Sequence, residues 1–402
     1  MKETSPLPQT SVHPQVDRAS LNRFLKERSN GAGNLSHQMY QNLMVEEPQQ
    51  GQRRSDIPTP LGQKAPFLEY IHSFRGIAIL FIVAGHVSSA VAWQNAPFLE
   101  LLLKKFLQNG TVYFVFISGY LFQHLSGKYR YGPYLACKIK NIIAPYIVMS
   151  LPAIIVFTFF AHRWSVDPAF YEQSIPLQIA TFYVTGSHLT PYWFIPMIAL
   201  YYLISPILIW WDRRGTMYLL LPLLLGVSFC VSRGTLPMNC AHFFSVYVFG
   251  MFCSHYRERV LTDASRLSPL LVALAVGCLA VDAMQCVPMN GALNLVQKLS
   301  LCLLLLYWLA RYPRVMAKPL SLCATLSFGI YFVHPYVIAA FNVLVNEVPL
   351  RQLIMSGNGD KLGAGSVFTV ISWTSVVVLV SMAFLETARR LLSKYSRMMV
   401  GS

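Results

Sequence analysis

Charge is what this sequence has least of. Only 12% of its 402 residues are Asp, Glu, Lys or Arg, where a soluble domain carries about 25%. With 54% hydrophobic residues and a mean hydropathy of +0.46, that shortage excludes an ordinary water-soluble globule and leaves a polytopic membrane protein. Acidic residues are scarcer still, 17 against 32 Lys and Arg, for a net charge of +15. Such an excess can signal nucleic acid, but no helix carries a basic stripe with interleaved aromatics, so no nucleic-acid partner is expected. CxxC pairs and zinc-ligand spacings are also missing among the eight cysteines, which excludes the usual thiolate metal sites and points to no bound metal. Cys230, Cys240 and Cys286 fall near the outer ends of three apolar segments and are expected as free thiols.

Residues 1–66 lack any apolar run and are rich in Gln, Pro, Ser, Asn and Arg. Such a segment cannot build a core and reads as a disordered cytoplasmic tail. It also lacks the apolar region of a cleaved signal peptide, so the first span is expected to act as an uncleaved anchor. Ten candidate spans follow, at 73–93, 108–124, 143–161, 190–211, 216–232, 239–255, 267–285, 295–311, 319–343 and 367–388, each near the ~20 residues that cross about 30 Å of hydrocarbon. The stretch 176–186 is too short to span and reads as interfacial or re-entrant. With the amino terminus inside, the inner loops and carboxyl tail hold sixteen Lys and Arg against six in the outer loops, so both termini are expected in the cytoplasm. The fold class is therefore all-α: an integral membrane helical bundle of about ten helices over 67–390, with a short cytoplasmic tail at 391–402. No inverted repeat is evident, and no further domain is expected after the last span.

One span contains two costly polar groups. In "FRGIAILFIVAGH", Phe74 to His86, Arg75 and His86 stand eleven residues apart. At about 100° per residue that is within about 20° of three full turns, so both share one helix face, about 16 Å apart along the axis. Arg75 would lie near the cytoplasmic interface and His86 beyond the midplane. Gly76, Ala78, Ala84 and Gly85 suit close helix approach. The plainer readings are a snorkelling Arg75 and a hydrogen-bonded core His86. Ionisable groups at such depth more often mark a pathway or a site.

Four motifs in order carry a resemblance. "YIHSFRGIAILFIVAGHV" resembles the opening helix of membrane acyltransferases of the acyltransferase-3 family, with its arginine, ten residues and histidine. "VYFVFISGYLF" is similar to that family's aromatic pair followed by Ser-Gly, here Ser118 and Gly119. "PYWFIPMIALYYLISPIL" contributes Trp193-Phe194, and "SFGIYFVHPYV" contributes Tyr331, His334 and Pro335. The likeness covers about residues 67–390. It departs at His72, where many members have an acid three residues before the arginine, and at Lys138 and Lys140, where many have paired arginines. Lysine keeps the charge but loses the bidentate fork for phosphate. The other reading of these lysines is the positive-inside rule.

The resemblance implies a bacterial inner-membrane enzyme that O-acylates, and most simply O-acetylates, a carbohydrate. Acetyl-CoA or another acyl-CoA is the implied donor substrate, with no permanently bound cofactor. The partners implied are a surface or exported polysaccharide or its lipid-linked precursor, the lipid bilayer, and polysaccharide-assembly proteins. His86 and Arg75 are the catalytic candidates. Arg75, Lys138 and Lys140 are the candidates for the donor phosphates. Ser118, Gly119, Trp193 and His334 are the substrate-binding candidates. Each of these four has a structural alternative: close packing for Ser118 and Gly119, interfacial anchoring for Trp193, and a proline kink for His334. Asp282 and Lys298 lie near spans but receive no role. "HRWSVD", His162 to Asp167, fits the HxxxxD pattern of glycerolipid acyltransferases, but falls in an outer loop and is discounted. A proton-coupled transporter of a glycan or small metabolite is the rival class, and an accessory assembly subunit without chemistry is a third.

Overall fold

A computed structural model describes residues 68–93, 97–284, 291–313, 317–346 and 362–401. The amino-terminal tail, Cys286 and most of the expected 346–366 loop lie outside the described residues. The helices are α1 (Glu69–Ala90), α2 (Pro97–Leu107), α3 (Thr111–His124), α4 (Tyr131–Phe160), α5 (Ile175–Thr185), α6 (Phe194–Leu203), α7 (Ser205–Arg213) and α8 (Met217–Cys230). Then come α9 (Leu236–His255), α10 (Arg257–Arg266), α11 (Ser268–Ala283), α12 (Ala292–Arg311), α13 (Ala317–Thr325), α14 (Ser327–Asn346), α15 (Val367–Leu392) and α16 (Ser396–Val400). Among the described residues there is no β-strand, only one parallel bridge between Ala92 and Ala364.

Proline sets many of these boundaries. α2 begins on Pro97, and α5, α7, α9 and α11 carry Pro176, Pro206, Pro237 and Pro269 in their first turns, where the missing N–H is not needed. Pro152 stands inside α4, which opens into wider i→i+5 turns at Ile139–Ile143 and Val156–Phe160. The first of these turns starts immediately after Lys138.

Among the described residues six helices are long and apolar enough to cross a membrane, and up to eight spans result if each bent pair counts as one. The expected ten are not all met. The segment 108–124 yields only the fourteen-residue α3, and 216–232 yields the short α8. The expected span 190–211 is two helices bent by 53°. Pro206 stands in the first turn of the second, where its missing N–H cannot continue the hydrogen-bond ladder of the first. α10 and α11 are likewise bent by 75°, beside Pro269. The expected span 319–343 is divided between α13 and α14. Large apolar side chains such as Leu219, Phe368 and Leu391 stand exposed, as a lipid-facing surface requires. The last residues do not hang free: Ser396 and Val400 are buried, and Gly401 lies against Phe332.

Short α3 is instead the centre of the bundle, buried from Val112 through Ile117. It crosses α9 at backbone contact. A Cβ on Gly119 would stand 2.0 Å from the Tyr247 carbonyl oxygen, and one on Gly250 would stand 2.2 Å from that of Phe116. Both obstacles are backbone, so neither can swing aside. Gly250→Ala is therefore expected to lower stability by about 1–3 kcal/mol through overpacking. Gly277→Ala, with nothing within 4 Å of the added carbon, is the control. Equal thermal stability of the two variants in detergent would contradict this close contact.

Candidate active site

α1 and α14 bring the sequence candidates together. The Arg75 guanidinium donates to Ser327 Oγ at 2.9 Å and lies 5.9 Å from the centre of the Phe328 ring. Three turns on, the His86 ring lies 5.2 Å from that of His334, tilted by 40°. Arg75 and His86 thus face the same neighbour, one near its first turn and the other at its middle. Gly76 makes the approach of α1 to α13 close, since a Cβ there would meet the Leu320 carbonyl oxygen at 2.6 Å.

His334 is fully buried. Its Nδ1 is 2.9 Å from the Ile330 carbonyl oxygen, one residue before the Tyr331 carbonyl whose helical partner Pro335 removes. Donation from Nδ1 leaves Nε2 as a bare acceptor, and that atom is buried without a protein partner. His86, by contrast, is only half-buried. The pair therefore combines a held, acceptor-bearing ring with a reachable one. Tyr331 donates through its hydroxyl to the Pro191 carbonyl, and Tyr192 donates to that of Phe332 at 2.8 Å. These two bonds tie the segment before α6 to the His334 turn.

That segment is aimed by Gly186, which closes α5 at φ +68°. A Cβ there would meet the Trp193 nitrogen at 2.5 Å, so the loop folds back tightly only because the residue is glycine. Trp193 is half-buried and stacks on Phe243, ring centres 5.4 Å apart. Arg233, from the loop between α8 and α9, lies 4.8 Å from the Trp193 ring and 5.4 Å from the Phe243 ring. An electrostatic interaction links it to His86. Sequence reasoning counted Arg233 only as an outer-loop charge.

At the other end, Lys138 lies 5.2 Å from the Tyr134 ring and 4.8 Å from the Tyr202 ring, and it interacts electrostatically with Arg75. Lys140 is exposed on the widened turn and does not join them. Ser118 is half-buried on α3, whereas Gly119 is occupied by its contact with Tyr247. Lys298 is buried and donates to the Phe106 carbonyl and to Gln297 Oε1, both at 2.7 Å, while Asp282 pairs with Lys105 at 2.8 Å. The HxxxxD pattern is used structurally: His162 stacks on Tyr171 at 3.8 Å, and Asp167 accepts from the Ala169 N–H at 2.9 Å. All seven cysteines among the described residues are free.

His188, in the loop between α5 and α6, is a second buried imidazole whose Nδ1 donates to the Phe182 carbonyl at 3.0 Å. Burial holds its pKa down to about 4, against an ordinary 6.5. Between those values the unfolded chain binds a proton that the folded chain does not. Stability is therefore intact above pH 6.5 and falls as the pH drops toward 4. His188→Phe is expected to remove about 2 kcal/mol of the loss between pH 7 and pH 5. An unchanged pH dependence of thermal unfolding would contradict the burial argument.

The family model described as an acyltransferase domain, that of the acyltransferase-3 family, matches residues 68–386, nearly the whole described bundle. No curated protein and no solved structure matches the chain.

Proposed function

Because the chain belongs to the acyltransferase-3 family of membrane acyltransferases, we propose that it transfers an acyl group, most simply acetyl, from acyl-CoA to a hydroxyl of a surface or exported glycan or its lipid-linked precursor. The observation that carries this reading is the pairing of a half-buried His86 with a fully buried His334 on the helix that also meets Arg75. A sugar hydroxyl is a poor nucleophile. A neutral imidazole within reach takes its proton as the oxygen attacks the thioester carbonyl, and the thiolate of coenzyme A leaves. Arg75 and Lys138 form the cationic end, where the donor phosphates are held. The long pantetheine arm then reaches along the shared face of α1 toward His86.

The site belongs to the bacterial inner membrane on this reading, with both termini and the Arg75 end in the cytoplasm. Reporter fusions test that orientation. A fusion after Ser402 is expected to behave as cytoplasmic, and one in the 346–366 loop as external. The opposite pattern would remove Arg75 from the cytosolic donor.

The rival transporter reading draws on the two bent helix pairs, since broken spans are what transporters use. His86 and His334 lie on α1 and α14, outside both breaks. Purified protein with labelled acetyl-CoA and a glycan acceptor separates the two. Label in the glycan, or free acetate released without acceptor, is expected. Complete absence of thioester turnover would favour transport.

A further inference from the structure

We propose that Arg233 is the acceptor-recognition residue of the His86 site, and that the acceptor it selects is an anionic saccharide whose carboxylate or phosphate binds its guanidinium. The inference rests on the glycan acyltransferase reading and names the chemical class of its acceptor.

Arg233 is held as a presented cation. Its guanidinium lies over Trp193 and Phe243, and it donates to Asn109 Oδ1. Asn109 is itself fixed, with positive φ of 62° at the turn before α3. Its Nδ2 donates to Asn294 Oδ1 at 2.8 Å. Asn294 donates to the Lys105 carbonyl at 2.8 Å and, at 3.5 Å, to Gln297 Oε1, which also accepts from Lys298. The chain of amides is thus oriented from the buried Lys298 outward, and the Asn109 oxygen is the acceptor that Arg233 meets.

Among the described residues no carboxylate answers the Arg233 charge. On α2 and at the end of α11, Glu100 pairs with Lys104 and Asp282 with Lys105. The side chain is exposed, and its interaction with His86 places it at the end of the bundle opposite Arg75. Five N–H donors in a planar fork, one accounted for by Asn109, suit a bidentate carboxylate or phosphate. The Trp193 and Phe243 rings keep the fork in one plane and reduce the entropy lost on binding. An arginine that only tied the loop down would need neither this exposure nor a fork with most of its donors turned away from the Asn109 oxygen.

The test measures binding, not turnover. Intact protein in nanodiscs is titrated with methyl β-glucuronide, glucose 1-phosphate and methyl β-glucoside, by calorimetry or saturation-transfer NMR. At least one anionic probe is expected to bind about 10–100-fold tighter than the neutral glucoside, and the tighter of the two anions identifies carboxylate or phosphate as the source. Arg233→Gln and Arg233→Met should each abolish the preference while leaving weak glucoside binding and thermal stability unchanged. Arg233→Lys should keep part of it, with stronger salt dependence. Equal binding of all three probes by the intact protein overturns the proposal. So does equal loss of neutral and anionic binding in a well-folded Arg233→Met. An Arg233-dependent preference without acyl transfer to any acceptor supports the anion site and makes the acyltransferase reading fail separately.

Discussion

His86→Ala is expected to reach the membrane, bind acyl-CoA like the intact protein, and transfer about 10²–10⁴-fold more slowly, the range for loss of a positioned general base. The substitution removes a half-buried ring that faces His334 and makes no hydrogen bond among the described residues, so its structural cost is small. His334 cannot substitute, because its one acceptor nitrogen, Nε2, is fully buried. Relocation gives the sharper control. His86→Ala combined with Ala84→His turns the imidazole by about 200° around α1, away from α14, and should not restore transfer. Near-normal transfer by well-inserted His86→Ala would end the catalytic reading and leave His86 as a core histidine.

Arg75→Ala is expected to fail differently. Removing a charged hydrogen-bonding group from the donor end weakens acyl-CoA binding by about 1.5–3 kcal/mol, roughly 10–100-fold, with turnover at saturating donor much less affected. Arg75→Lys keeps the charge near Lys138 but not the fork, and should recover only part of the affinity. The loss of the contact with Ser327 calls for a structural control. Ser327→Ala removes that contact and retains the charge, so it should bind acyl-CoA almost normally. If Ser327→Ala matched Arg75→Ala, Arg75 would be a clamp between α1 and α14, not a donor ligand.

The all-helical bundle was legible in the sequence because apolar runs and flanking charges act locally. The face shared by Arg75 and His86 was legible for the same reason: a fixed 100° per residue needs no tertiary knowledge. The helix count was not. α3 is a fourteen-residue helix at the centre of the bundle, and hydropathy cannot distinguish lipid from protein as an apolar surrounding. The bend between α6 and α7 was signalled by Pro206 but overridden by the apolar run around it. Arg233 was invisible as a site residue, because its partner Asn109 is 124 positions away in sequence, and a lone loop arginine looks the same whether it anchors topology or faces a histidine. The separation of Lys138 from Lys140 was equally hidden, since it depends on the widened turn that follows Lys138.

The central claim is that donor binds at the Arg75 end of α1 while the proton is taken at the His86 end. Sided proteoliposomes test it most directly. Protein is reconstituted, the orientation of each population is fixed by a carboxyl-terminal tag, and labelled acetyl-CoA is supplied on one face only with acceptor on the other. Transfer is predicted when the donor is on the Arg75 face and the acceptor on the His86 face. Transfer that requires acetyl-CoA on the His86 face, and none from the Arg75 face, would contradict the account.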